Sequence, residues 1–414
     1  MKQLVFLVGS YYPNFSAVGY CVHQVILCLK NDFEVTVIAF RNDSSQPFEE
    51  VYEGVRILRI ETVDMKRRNL LHSTSSRHGQ LMLNWLRVRG MLRRLLSRET
   101  VDHALVQAYV DGLNALSSRQ DIIIPVVFPF ETVLAALRFK GSDDALKVVP
   151  YLFDDFVESG SLHVLRIAAR IKRDRHLSLE HEMLTISNAV LSMHPLEEHF
   201  EKNFENRLAA KIIYLEHPLL KEPRAYSRAT GDATLKLCFT GSLIRKVREP
   251  GYLLEMLSNV HLSIKVQVDF FVLGNAANQI HSQSLSNSIK IVNHGRVSKF
   301  EADAAVAGAD ILINIGESKG KQVSSKVFEY LSSGKPIVHF SYTDDDVVSK
   351  ILHKYPLALT LIMRKSKFFE NLRFFEKFII QNKNKNIPFH SVRAIYPEAL
   401  PENTSEHMKR IFNY

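Results

Sequence analysis

Short apolar runs rich in β-branched residues alternate along the chain with segments whose apolar residues return every third or fourth position. The runs 4–9, 33–40, 55–60, 122–128, 148–153, 184–187 and 211–215 are continuous rather than alternating, which predicts strands buried on both faces. Between them, 18–29, 80–96, 131–137 and 195–203 carry the helical period. A second series predicts strands at 234–240, 266–273, 289–293, 311–315 and 336–340. Strands separated by helices build parallel sheets, so the pattern predicts an α/β protein of two doubly wound, Rossmann-like halves. The polar interruption 222–233, with Pro223 and Gly231, marks the join. The expected organisation is a first domain over 1–217, a linker over 218–232, a second domain over 233–395 and a C-terminal helix over 396–414 that packs back on the first domain. Ligands of such sheets bind beyond the carboxyl ends of the strands, so two sheets facing each other predict a central cleft.

Composition changes this picture little. The chain has 414 residues, a length for two domains, and its 46% hydrophobic and 23% charged residues are those of a packed globular protein. No apolar window is long enough to cross a membrane, and the run 4–9 is too short for a secretory signal, which predicts a cytoplasmic chain. Cys21, Cys28 and Cys238 each lie in apolar stretches, an argument against a disulfide framework or a zinc site of clustered thiolates.

Charge is more informative. Lys and Arg exceed Asp and Glu by 53 to 44, a net +9. From Lys66 to Arg98 there are nine basic residues (Lys66, Arg67, Arg68, Arg77, Arg87, Arg89, Arg93, Arg94, Arg98) and no acidic one, so this segment alone equals the excess. A general affinity for nucleic acid, which needs a broad basic face, loses its support. Leu81, Met82, Trp85, Leu86, Leu92, Leu95 and Leu96 recur there at helical spacing. Two readings fit: a helix resting on an anionic membrane surface, or one packed on the core with a solvated basic side.

The most distinctive motif runs over 324–338, reading SSKVFEYLSSGKPIV. The serine pair Ser324–Ser325 predicts a helix N-terminus, Gly334 its end, and Pro336 the stop before the next strand. Gln322 immediately precedes that turn. Lys326 and Glu329, three apart, share one helix face, which suits either a phosphate and a pair of ribose hydroxyls or a plain intrahelical ion pair.

This run resembles the donor-binding helix of GT-B-fold glycosyltransferases, family 4 in particular. Three other stretches agree in order: 5–9 with the loop 12–19, 237–243, and 309–316. The resemblance implies transfer of a sugar from a nucleotide diphosphate donor, with retention of configuration and without an obligatory metal or cofactor. Carried over residue by residue, it implies that Glu329 holds the ribose, that Ser324, Ser325 and Lys326 cradle the diphosphate, and that Gln322 is a further donor-binding residue. It further implies that Arg245, Lys246 and Arg248, after Gly241, stabilise the leaving phosphate, with Lys246 and Arg248 the preferred catalytic pair. Gly19 either lets the first loop approach the donor or simply enters a helix. The acceptor implied is a glycan or a lipid-linked saccharide at the cytoplasmic face of a membrane.

Two departures stand out. Lys321 occupies the position where the family often has a second glutamate, leaving Glu317 or Gln322 to reach the reacting sugar. In place of a histidine the sequence runs Phe153-Asp154-Asp155, where Asp154 either serves the acceptor or caps a helix; adjoining carboxylates diverge, so no metal site is expected there. His217 and His294, at strand ends, read as structural histidines. A nucleotide-sugar 2-epimerase of the same fold and a catalytically inert partner subunit are the alternatives.

Overall fold

The computed structural model describes residues 1–73, 77–97, 100–157, 166–223, 234–320, 323–324, 326–383 and 385–413. The chain divides into two compact units, one formed by Met1–Pro218 with Pro401–Tyr414, the other by Leu219–Leu400.

The first unit is built on β1 (Lys2–Leu7), β2 (Phe33–Phe40), β3 (Glu49–Tyr52), β4 (Val55–Ile60), β5 (Ile122–Val127), β6 (Lys147–Val148), β7 (Tyr151–Leu152), β8 (Val190–Met193) and β9 (Ile212–Leu215). Their order is β3-β4-β2-β1-β5-β7-β8-β9, with β6 paired to β5. All pairs are parallel except β3 with β4 at the edge. The central strands are covered on both faces, which is why Leu4 to Leu7 and every residue of β5 are buried. The predicted strand 148–153 is broken into β6 and β7 around Pro150. Pro125 of β5 lies where its pairing passes from β6 to β7, so neither proline removes a donor that the ladder needs.

The predicted strand 184–187 is instead the end of the helix Arg166–Ile186 and its exit, and the strand follows as β8. Leu179, Met183 and Leu184 keep the helical spacing and are buried, and Ser187 N still donates to Met183 O at 3.0 Å. The helix Pro401–Phe412 belongs to this unit: Phe412 meets Phe33 edge-on at 5.6 Å, and Lys2 and Lys147 donate to its last carbonyls.

The second unit repeats the plan with β10 (Leu235–Ser242), β11 (Val266–Leu273), β12 (Gln283–Ser284), β13 (Ile289–Asn293), β14 (Ile311–Ile315), β15 (Ile337–Ser341) and β16 (Ala358–Ile362), in the order β12-β13-β11-β10-β14-β15-β16. Apart from the edge strand β12 it is parallel. Leu219 and Leu220, within the stretch 218–232, are buried in this unit, and Leu220 N donates to Ala399 O at 3.0 Å. Residues 224–233, most of the polar interruption, lie outside the described residues. With the edge strands β3 and β12 and the short β6 set aside, the second sheet follows the doubly wound order 3-2-1-4-5-6 and the first the same order with a seventh strand added, both reversing beside the first strand: between β1 and β5 in one unit, β10 and β14 in the other.

Candidate functional site

The carboxyl ends of β10 and β14 carry most of the residues singled out in the sequence. Gly241 near the end of β10 has φ +151°, a conformation that residues with side chains rarely adopt. The chain then enters a tight turn in which Ile244 N donates to Arg248 O at 2.9 Å and Arg248 N to Ile244 O at 2.7 Å. Lys246 stands in this turn with φ +64°, and its N–H donates to Glu249 Oε1 at 2.9 Å. The side chains of Arg245 and Lys246 are exposed.

Arg248 differs from both. Its side chain is half-buried, and its Nε, fully buried, has no hydrogen-bond partner. Burial pushes its pKa down, opposed by the charge of Glu317 and by Tyr342 and Tyr330 nearby. No ion pair to its guanidinium is found among the described residues. An N–H held out of water without an acceptor is costly unless something supplies one.

The loop 316–320 after β14 returns over this turn, with Ser318 N donating to Val247 O at 2.8 Å and the buried Glu317 accepting from Lys319 N at 3.0 Å. Ser324 O accepts from Val327 N at 2.9 Å and so opens the seven-residue helix Lys326–Ser332. Gln322 and Ser325, with Lys321, lie outside the described residues. Tyr330, fully buried in that helix, bonds the N–H of Thr240 at 2.8 Å and its hydroxyl at 3.0 Å, fastening the helix to β10.

One turn into the helix, Glu329 Oε2 accepts from Lys326 Nζ at 2.8 Å and from Lys299 Nζ at 3.2 Å. Burial pushes this carboxyl up, but the two ammonium groups outweigh it and hold the pKa below the ordinary value. Its Oε1 accepts no hydrogen bond among the described residues. Lys299, the first residue of the helix Lys299–Gly308, was not singled out in the sequence: it lies 30 residues from Glu329, and only the sheet order brings the two together.

A buried network sets the 316–320 loop. Asn314 Nδ2 donates to His339 Nδ1 at 2.7 Å, so His339 Nε2 carries the proton and donates to Asp346 Oδ2 at 2.8 Å. Asp346 also caps the helix Val347–Leu352 by accepting from Ser349 N at 2.7 Å. Its burial raises the carboxyl pKa, but His339 and Ser349 bring it below the ordinary value.

In the first unit, Gly19 lies in the first turn of the helix Ala17–Leu29; its N–H donates to the cap Ser16 Oγ at 3.0 Å, and a Cβ there would strike Ser10 O. Close packing of the loop on the helix therefore accounts for this glycine. Nearby, Glu53 Oε2 accepts from His23 Nε2 at 3.1 Å, so His23 Nδ1 accepts from the buried Tyr11 hydroxyl at 2.7 Å. Burial pushes the Tyr11 pKa far up. Tyr12 and Tyr52 stack at 3.7 Å beside this relay.

Asp154 follows β7 and is half-buried. It is its neighbour Asp155 that joins a cluster: ligand atoms of Asp155, Glu180 and His199 lie within 4.8 Å of one another, the one group among the described residues with metal-ligand spacing. Arg173 donates to Asn203 Oδ1 at 2.7 Å, which turns Asn203 Nδ2 towards His199 Nδ1 at 3.3 Å and leaves His199 Nε2 to donate to Glu180 at 2.7 Å. Burial raises the Glu180 pKa despite that hydrogen bond. Two carboxylates and an imidazole, with Glu180 Oε2 already accepting from His199 Nε2, fall short of the oxygen-rich set that a hard cation takes. His217 bonds Glu216 at 3.0 Å, and His294 bonds Asp269 at 2.8 Å while stacking on Phe271, both local structural contacts.

Of the residues predicted, Gly241, Arg245, Lys246, Arg248, Ser324, Lys326 and Glu329 thus stand at the β10 and β14 ends of the second unit, whereas Gly19 and Asp154 belong to the first.

No protein-family model matches the chain, and no curated protein does. Solved structures match over its whole length. Sucrose-phosphate synthase from Thermosynechococcus elongatus is similar with a TM-score of 0.63 at 11% identity, covering 100% of this chain and 98% of that one. Anabaena HepE, solved in complex with UDP and glucose, is similar with a TM-score of 0.62 at 11% identity, covering both chains fully. The lipopolysaccharide outer core galactosyltransferase WaaB gives 0.58 at 10% identity over 99% of each chain. The fold is therefore that of the GT-B glycosyltransferases.

Proposed function

We propose that this protein is a glycosyltransferase that moves a sugar from a nucleoside diphosphate donor, held by the second unit, to a glycan or lipid-linked acceptor served by the first. The observation that carries the reading is Arg248, a half-buried guanidinium that makes no ion pair among the described residues and whose buried Nε has no hydrogen-bond partner, at the switch point where ligands of doubly wound sheets bind. A diphosphate would supply the missing anion through two parallel hydrogen bonds. Lys246 and Arg245, exposed on the same turn, add charge, and Gly241 gives that turn its path. Glu329, kept ionised by Lys326 and Lys299, presents Oε1 to the vicinal hydroxyls of the ribose. Ser324 and Lys326 complete the described part of the cradle, to which the resemblance adds Ser325, with Gln322 a further donor-binding residue.

As the glycosidic bond breaks, negative charge gathers on the departing phosphate, and these fixed cations stabilise it in the role that a metal plays elsewhere. The acceptor hydroxyl enters on the side of the departing diphosphate, which takes its proton, so configuration is retained and no metal is required. Asp154 contributes to the acceptor side. The fold of the neighbours, among them one solved with UDP and glucose, supports this reading.

Thermal-shift titration with UDP, GDP and ADP tests it. A bound nucleotide raises the melting temperature as RT ln(1 + [L]/Kd), and one of the three stabilises the native protein while Arg248→Ala abolishes the shift. Absence of any shift, or an undiminished shift in Arg248→Ala, overturns the site. Epimerised sugar formed from donor alone would replace transfer with epimerisation.

A further inference from the structure

We propose that the helix Arg77–Leu96 is a membrane-surface helix that seats the first unit on an anionic lipid bilayer. In an ordinary surface helix the apolar stripe faces the core. Here Gly79 and Leu83 are buried and Leu86 half-buried on one side, whereas Leu81, Trp85, Val88, Leu92 and Leu96 are 48% to 85% exposed. Those five recur at steps of three and four residues, so they form one outward stripe along the whole helix. An apolar stripe of this length turned to water marks an interaction surface.

The charges select the partner. Arg89 borders the stripe, its guanidinium 5.5 Å from the Trp85 ring centre, Arg87 is exposed further round the helix, and the exposed Lys66, Arg67 and Arg68 of the preceding helix Val63–Ser73 extend the basic surface. No acidic residue interrupts 66–98. An outward apolar stripe bordered by Arg89, on a segment whose charged residues are all basic, matches the interior and the headgroups of an anionic bilayer, in that order. A second copy of the chain would bring two such basic segments together, and a nucleic acid backbone would leave the apolar stripe in water.

Trp85 is the protein's one tryptophan, so its emission reports this stripe alone. The full-length protein is mixed with vesicles of phosphatidylglycerol and phosphatidylcholine, and with vesicles of phosphatidylcholine only. Co-sedimentation with the anionic vesicles and a blue shift of Trp85, both lost in high salt, are expected. Leu81→Ser/Leu92→Ser, at exposed positions, reduces partitioning by roughly tenfold or more, and Arg87→Glu/Arg89→Glu removes the preference for anionic lipid. Circular dichroism and melting of these variants match the native protein. No sedimentation and no shift, equal binding to both vesicle types, or a shift that follows protein concentration without lipid each overturn the proposal, the last in favour of self-association. The readout involves no sugar transfer, so its failure leaves the proposed reaction untouched.

Discussion

The two units share one strand order but furnish the carboxyl ends of their central strands with opposite chemistry. In the second, Arg248, Lys326 and Lys299 stand around Glu329 and Glu317, and the Glu329 carboxyl is held below its ordinary pKa. In the first, the corresponding ends carry Tyr11, His23, Glu180 and His199 in closed hydrogen-bonded relays, where burial pushes both Tyr11 and Glu180 up. One environment stabilises negative charge; the other resists it. The order of strands determines where a ligand meets the sheet, and the loops determine which ligand that is. On the proposed reading the second unit is the one furnished for an anionic donor, and the first is left to the acceptor.

The comparison breaks most readily at Arg248. Arg248→Ala is expected to reduce donor turnover by roughly 100- to 1000-fold, the range for removing one preorganised stabiliser of a developing oxyanion. Its melting temperature should change little, because the guanidinium makes no ion pair among the described residues and its buried Nε has no hydrogen-bond partner to lose. A variant that loses stability in step with activity would make Arg248 a structural residue. The opposite behaviour is expected of His339→Ala, which takes one of its donors from the buried Asp346 carboxylate and opens a cavity beside the 316–320 loop. Urea unfolding should show a loss of about 3 kcal/mol.

The fold was legible where burial on both faces left continuous apolar runs, as in β1, β5 and β14. It was not legible at 184–187, because Met183 and Leu184 satisfy a helical and a strand pattern equally over so short a window. The edge strands β3 and β12 were missed because exposed residues interrupt or replace the apolar run there. Of the site, Lys326 and Glu329 could be read from their spacing of three. Lys299 could not, nor could the relays Tyr11–His23–Glu53 and Asn314–His339–Asp346, whose members meet only through turns and sheet order. The helix Arg77–Leu96 shows a different limit: periodicity reveals an apolar stripe but not whether it faces in or out.

The contrast between the units also predicts opposite pH dependences for two glutamates of the same ordinary pKa, 4.5. Glu329 is lowered in the folded protein, so its contribution is full above 4.5 and lost as pH falls through the folded value. Glu329→Gln is therefore less stable than the native protein at neutral pH, and the gap closes in acid. Glu180 is raised, so native stability falls as pH rises past 4.5 and the unfolded carboxyl ionises first. Glu180→Gln escapes that penalty and is the more stable form at neutral pH, again with convergence in acid. Urea melts across the acid and neutral range measure both; gaps of the same sign would dissolve the distinction between the two environments.

The smallest effect is expected at Lys246, where the two demands on the β10 turn separate. Its φ of +64° costs a side-chain-bearing residue roughly 1–2 kcal/mol, whereas glycine adopts it freely but gives up about 0.5–1 kcal/mol of backbone entropy on folding. Lys246→Gly should therefore raise stability by about 0.5 kcal/mol, with the backbone bond to Glu249 kept. If the ammonium serves the leaving diphosphate, donor turnover falls at the same time, by less than in Arg248→Ala because an exposed charge is screened by water. A gain in stability with unchanged turnover would remove Lys246 from the reaction and leave Arg248 to act alone. A loss of stability would show that the lysine side chain, and not its charge on a substrate, holds the turn.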